Sequence, residues 1–214
     1  MPVKIADIRK TYSKKSLTEK TANADPIKQF GKWWKEALKS NIDEVNAMTL
    51  ATASADGLPS ARIVLLKDYS PEGFVFFTNY GSPKGAEVAE NPKACLVFFW
   101  KELERQVRIT GMIEKIPAHE SDEYFHSRPW ESQVGAITSP QSTVIRNREW
   151  LQKRYATLSK QYKNKAVPRP DHWGGYIVKP AIIEFWQGRP GRLHDRLQYR
   201  LNEKMRWVME RLAP

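Results

Sequence analysis

The chain has 214 residues, with 41% hydrophobic, 28% charged and 11% aromatic content, a globular composition that excludes disordered and collagen-like proteins. A single cysteine, Cys95, excludes an intramolecular disulfide, and 35 Lys and Arg against 24 Asp and Glu give a net charge of +11, which points to an anionic partner. No apolar run approaches the roughly 20 residues that cross a bilayer, and the Lys-rich N-terminus lacks the apolar core of a signal peptide, so no membrane contact and a cytoplasmic location are expected.

Residues 1–24 are polar and Lys-rich and read as a mobile arm, with a helical turn around Ile5 to Tyr12. Asp25 is suited to cap a helix and Pro26 to start it, and Ile27, Phe30, Trp34 and Leu38 follow at helical spacing, so a helix is predicted to run to about Ser40. From Met48 the period becomes that of strands. Segments 48–53, 60–67 and 74–78, joined by Asp56-Gly57 and Pro71-Glu72-Gly73 turns, predict an antiparallel meander. Ser82 and Pro83 then open a helix that Asn91-Pro92 ends. Strands follow at 94–100 and 105–116, the second bending at Gly111; Cys95 sits in the first as a buried thiol. Residues 118–165 read as helical, broken at Pro129 and at Ser139-Pro140, with the longest helix from about Thr143 to Tyr162. Strands at 175–179, 181–187, 192–200 and 206–212 close the chain. With no strand-helix repeat, the class is mainly β with peripheral helices, a barrel rather than a doubly wound sheet.

The charge is uneven. Residues 1–40, 146–169 and 189–211 carry the basic excess, while 41–145 hold nine basic and fourteen acidic residues. A nucleic-acid binder would spread its cations over one continuous surface, and no recognised RNA or DNA motif appears, so no nucleic-acid partner is expected. GxGxxG, GxxxxGK[ST], GxSxG, HExxH and CxxC are all absent, and the four histidines are scattered, so no metal site is expected. Any chemistry then belongs to a bound cofactor.

Five segments carry candidate groups. In RLHDR (192–196), strand alternation would set Arg192, His194 and Arg196 on one face, either around an anion or simply solvated. Trp186 in EFWQG either lines a planar ligand or fills the core. NYGSPKG (79–85) opens a helix and offers free amides, the Ser82 hydroxyl and the Lys84 ammonium to a phosphate. In YFHSRPWES (124–132), Tyr124, Arg128 and Ser132 recur every four residues and suit a phosphate monoester, provided that a turn at Pro129 brings Ser132 round. Arg62 and Lys67 in RIVLLK are five residues apart, so in a regular strand they face opposite ways. They serve two ligands, or one of them is solvated.

Taken in order, RIVLLK, FTNYGSPKG, LERQVRITG, YFHSRP, SPQS, WGGY, EFWQG, RLHDR and the terminal ERLAP resemble the pyridoxine (pyridoxamine) 5'-phosphate oxidase family from about Ile8 to Pro214. The resemblance implies a homodimeric split β-barrel with FMN at the subunit interface, in which residues 25–214 form one domain with a helical insertion at about 118–165. It also implies oxidation of pyridoxine or pyridoxamine 5'-phosphate to pyridoxal 5'-phosphate, with dioxygen as acceptor and hydrogen peroxide, plus ammonia from the amine, as by-products. The family's flavin contacts fall on Arg62, Ile63, Val64, Leu65, Leu66, Lys67, Phe77, Thr78, Lys84, Gln106, Gln141, Ser142, Trp186 and Arg196. Its substrate contacts fall on Lys67, Tyr124, Arg128 and Ser132 for the phosphate. Arg192, Leu193 and His194 fall near the pyridine ring, with Arg192 and His194 as the catalytic pair. Arg62 would then face the flavin phosphate and Lys67 the substrate phosphate. Arg9, Lys10, Thr11 and Tyr12 match a segment that folds over the site, so the arm becomes a lid.

Two positions depart from the family pattern. Pro83 stands where Arg is usual, which removes one cation from the flavin phosphate; the helix start it favours compensates in part, so FMN is expected to bind less tightly. Phe77 stands where Tyr is frequent, a small loss if that contact is made by the backbone. The alternatives are another split-barrel flavin reductase, which would have no reason to match YFHSRP and RLHDR, and a non-catalytic pyridoxal-phosphate-binding protein.

Overall fold

The computed structural model describes residues 4–214. Its strands are β1 (Ala47–Ala53), β2 (Pro59–Leu65), β3 (Asp68–Ser70), β4 (Gly73–Asn79), β5 (Lys93–Trp100), β6 (Arg105–Lys115), β7 (Trp173–Gln187), β8 (Asp195–Leu201) and β9 (Trp207–Leu212). The helices are α1 (Pro26–Leu38), α2 (Pro83–Glu90), α3 (Ala118–Ser127), α4 (Trp130–Thr138) and α5 (Arg148–Gln161). The strands follow the order β2-β1-β5-β6-β7-β4-β3, with β8 on β7 and β9 on β8. This is the mainly β class with helices that the sequence predicts. Among the described residues, no helix is long and apolar enough to cross a membrane.

Several expectations need correction. The meander is broken, because β4 pairs antiparallel with β3 and β7 rather than with β2. The two strands expected at 175–179 and 181–187 are one strand, β7, running through Pro180. α5 starts at Arg148, where the Asn147 side chain accepts from Trp150 N at 2.8 Å and fixes the first turn. Cys95 is half-buried rather than buried.

The chain divides into two units. The first comprises the chain up to Leu50, Cys95–Gly111 and Pro180–Pro214. Here Asp25 caps α1 as expected, accepting from Ile27 N and Lys28 N. The buried stripe is Ile27, Phe30, Trp33 and Ala37, whereas Leu38 is 57% exposed; the apolar face is rotated by one residue from the predicted one. Phe30 meets Phe98 at 5.3 Å and Trp33 meets Phe185 edge-on at 5.2 Å. The latter half of the polar arm is tied down by hydrogen bonds rather than by apolar periodicity. Leu17 is buried and its N–H donates to Asp195, Tyr199 donates to the Asn23 carbonyl, and Arg211 binds Glu19.

The second unit comprises Ala51–Ala94 and Met112–Lys179. The β4–β7 ladder aligns Phe77 with Gly175, Thr78 with Gly174 and Asn79 with Trp173. Gly174 is required here, since a Cβ would lie 2.2 Å from the Tyr80 hydroxyl. Phe125, Val134, Val167 and Trp173 form a buried cluster beneath α3, α4 and α5.

Candidate functional site

The second unit holds a cavity of about 870 Å³, inside the roughly 300–1,000 Å³ range of small-molecule sites. One wall is Arg62, Ile63, Val64 and Leu65 of β2, followed by Lys67; Phe77, Thr78 and Asn79 of β4 stand beside it. Lys84 of α2, Tyr124 of α3, Arg128, Pro129 and Ser132, Gly135 and Ala136 of α4 continue the lining. Ser139, Gln141, Ser142 and Trp173 complete it.

The parity conflict between Arg62 and Lys67 disappears because β2 stops at Leu65. Past that point the strand alternation no longer applies, and Lys67 N instead donates to Val75 O at 2.8 Å. Both cations therefore line one cavity. Leu66 does not; it is 4% exposed and belongs to the core. The helix of the YFHSRP segment does break at Pro129, and α4 begins one residue later, so Tyr124, Arg128 and Ser132 still share the lining.

The loop before α2 is built on Asn79, whose side chain accepts from Gly81 N at 2.7 Å and whose carbonyl accepts from the Ser82 hydroxyl at 2.7 Å. Ser82 is fully buried and makes no side-chain cap to α2, so its hydroxyl is not offered to a ligand as the sequence suggested. It accepts instead from Lys84 Nζ at 3.0 Å, and Lys84 also reaches Gln141 Oε1 at 3.3 Å. Gly85 allows the tight turn, since a Cβ would meet the Tyr80 carbonyl at 2.0 Å.

Arg62 is held by Glu87 at 3.2 Å and by the hydroxyls of Thr52 and Ser60. Burial would raise the Glu87 carboxyl pKa, but hydrogen bonds from Ser60, Thr52 and Arg62 outweigh it and hold the group below the usual carboxylate range. Burial and the nearby Arg62 charge pull Lys84 down from its ordinary value, against the opposing pull of Glu87. Among the described residues, Lys67, Lys84 and Arg128 have no carboxylate within 4.0 Å. Arg128 lies over the Trp173 ring at 4.7 Å, and its Nη1 is buried without a hydrogen-bond partner. Such a group is expensive to leave unsatisfied, so an anionic acceptor is its natural complement. Phe77 stacks on Tyr124 at 3.9 Å and on Trp173 at 5.5 Å, giving a rigid aromatic floor.

The remaining predicted residues lie in the first unit and do not line this cavity. RLHDR is not a strand: Pro190–Arg192 form a 3-10 turn, and β8 begins only at Asp195. Gly191 and Arg192 both have positive φ, 64° and 61°, so strand alternation does not govern Arg192, His194 and Arg196. A turn groups the residues instead. His194 Nδ1 accepts from Arg189 N at 3.1 Å, its ring lies 4.6 Å from Trp186, and Tyr12 stands edge-on to Trp186 and His194 at 5.6 and 5.8 Å. Burial, then the Arg192 charge, lowers the His194 pKa below its usual value and favours the neutral ring. Trp186 and Gln106 are half-buried, whereas Leu193, Arg9, Lys10 and Thr11 are exposed. Arg196 donates to Glu184 at 2.8 Å and to the Ala213 carbonyl at 2.8 Å.

Sequence reasoning did not single out Asn79, Pro129, Gly135, Ala136, Ser139 or Trp173 as lining residues. Asn79, Ser139 and Trp173 sit inside segments it quoted, but Gly135 and Ala136 carry no signal beyond their place on a helix.

Residues 34–162 match the family model described as pyridoxamine 5'-phosphate oxidase, and residues 173–214 match that described as the pyridoxine 5'-phosphate oxidase C-terminal dimerisation region. The chain is 55% identical over 214 residues to a pyridoxine/pyridoxamine 5'-phosphate oxidase of Gloeothece citriformis, covering all of both chains. It is 54% identical, again over both full lengths, to one of Leptospira interrogans. Among solved structures, PhzG from Burkholderia lata, in complex with tetrahydrophenazine-1-carboxylic acid, superposes with a TM-score of 0.88 at 29% identity, over 94% of this chain and 100% of that one. A pyridoxamine 5'-phosphate oxidase-related, FMN binding protein from Nostoc punctiforme shares the fold with a TM-score of 0.68 at 15% identity, over 86% of this chain and 96% of that one.

Proposed function

The chain belongs to the pyridoxine/pyridoxamine 5'-phosphate oxidase family of split-barrel oxidoreductases, and from that premise we propose that it is an FMN-dependent oxidase of pyridoxine 5'-phosphate and pyridoxamine 5'-phosphate. Pyridoxine 5'-phosphate and dioxygen give pyridoxal 5'-phosphate and hydrogen peroxide. The amine also consumes water and releases ammonia. Bound FMN supplies the two-electron redox chemistry, with the substrate as hydride donor and dioxygen as terminal acceptor.

The residues present fit that group. Arg62, Lys84 and the positive end of α2 suit the flavin phosphate, although the Gly85 and Ala86 amides there already donate to the Ser82 carbonyl, and Ile63, Val64, Leu65, Thr78, Gln141 and Ser142 offer an apolar wall with polar edges. Lys67, Arg128 and the Tyr124 and Ser132 hydroxyls bind the substrate phosphate, which carries about −1.5 to −2 near neutral pH. Arg192 and His194 act on the pyridine ring and the reacting carbon, with Leu193 beside them, and Gln106, Trp186 and Arg196 complete the flavin contacts. The arm residues Arg9, Lys10, Thr11 and Tyr12 close over the substrate. The protein's share of catalysis is orientation and charge neutralisation. Two subunits pair with FMN at their interface, in the cytoplasm.

The observation that carries this reading is Arg128, a half-buried residue whose Nη1 is buried and unsatisfied in the same cavity wall as Lys67 and two hydroxyls. The purified protein is expected to show yellow flavin absorbance and to form pyridoxal 5'-phosphate from pyridoxine 5'-phosphate under air. Bound flavin without product would move the chain to another split-barrel reductase, and pyridoxal 5'-phosphate bound without flavin would make it a binding protein. A monomer by light scattering that keeps FMN and turnover would overturn the interface site.

A further inference from the structure

We propose that Glu104 is a positioning residue that latches the N-terminal arm and thereby sets Tyr12 against Trp186 and His194. The arm has no helix or strand of its own between Ile8 and Ser16, so its backbone donors depend on partners elsewhere in the fold. Glu104 supplies them. It is 2% exposed, and its Oε2 accepts from both Ser13 N at 2.8 Å and Lys14 N at 3.0 Å. Its Oε1 lies 3.9 Å from Lys10 Nζ. A carboxylate that buried is tolerated only when charge-assisted hydrogen bonds replace water, and here two backbone amides of the arm provide them, with the Lys10 ammonium nearby as a longer ion pair.

The same residue grips the strand that carries Trp186. The Glu104 carbonyl accepts from Gly188 N at 2.8 Å and from Gln187 Nε2 at 3.2 Å. Its backbone is left-handed, with φ 56°, which turns carbonyl and carboxylate toward different partners. Tyr12 then fills the space over Gly188 so closely that a Cβ there would lie 2.7 Å from the Tyr12 Cβ and Cγ. One residue therefore fixes the register between the arm and the end of β7, its side chain holding the arm and its carbonyl the strand.

This assignment rests on reading Tyr12 and His194 as part of the substrate site, and the test separates the two ideas. In full-length protein loaded with FMN, the Ser13 and Lys14 amides are expected to exchange with deuterium slowly, and at least about tenfold faster in Glu104→Ala. Glu104→Gln keeps an acceptor and should restore most of the protection. In steady-state assays with pyridoxine 5'-phosphate, Glu104→Ala is expected to raise KM about tenfold with FMN content and kcat little changed. Tyr12→Ala should raise it equally, and the double variant no further. Gly188→Ala, which crowds Tyr12 but leaves the carboxylate intact, should reproduce the KM rise if Glu104→Ala does not fold. Unchanged exchange at Ser13 and Lys14 in Glu104→Ala, additive KM effects, or an unchanged KM in Gly188→Ala would overturn the latch. The exchange measurement decides even if pyridoxine 5'-phosphate is not a substrate, an outcome that would refute only the activity.

Discussion

In the second unit, Lys67, Lys84 and Arg128 stand in a cavity wall with no carboxylate at salt-bridge distance among the described residues, whereas in the first unit Arg196, Arg189 and Arg211 each hold one. Glu184 binds both Arg196 and Arg108, and Asp195 binds both Arg189 and Arg211. The same residue type thus does two jobs. A paired arginine is a strut whose direction is fixed before any ligand arrives, and an unpaired one is a socket that destabilises the free protein until an anion fills it. Arg62, paired with Glu87 yet lining the cavity, combines the two.

That contrast can be broken by substitution. Arg128→Ala removes a socket: kcat/KM for pyridoxine 5'-phosphate is expected to fall roughly 100-fold, with the melting temperature of the ligand-free protein not lowered. Equal losses of turnover and stability would make Arg128 a strut. Glu184→Ala removes the anchor of two struts and should act chiefly on stability, costing about 1–2 kcal/mol in denaturant titration, because the partly buried Arg196 and the exposed Arg108 lose their shared carboxylate. A Glu184→Ala protein as stable as the parent would show that solvent replaces the pair. The smallest effect is expected at the exposed Pro83, where Pro83→Arg adds a cation at the start of α2 and should tighten FMN about fivefold by fluorescence titration. No tightening would mean that Lys84 and Arg62 already suffice.

Local chemistry in the sequence located most elements, because caps, proline positions and strand periods act over a few residues. Asp25-Pro26 and Ser82-Pro83 marked both helix starts. Long-range pairing was not legible: no local pattern says that β4 should pair with β7 rather than β2, and that ladder is what sets Trp173 beside Asn79 in the cavity wall. The RLHDR segment misled for the opposite reason. Its alternating composition imitates a strand, but Pro190 and Gly191 impose a turn that ends only at Asp195. The Arg62 and Lys67 conflict vanished once β2 was seen to end two residues before Lys67. Motif resemblance reached these residues because it compares whole segments and does not depend on periodicity.

The left-handed backbone of Arg192, next to an equally left-handed Gly191, bears on how this chain would respond to selection in the laboratory. An arginine held there costs about 1–2 kcal/mol that a glycine would not. A campaign scored only on expression yield or heat tolerance would therefore be drawn to Arg192→Gly early, and would return a sturdier protein stripped of the guanidinium proposed to act on the substrate ring. Libraries built on this chain should hold that codon constant, or be screened for product from the first round.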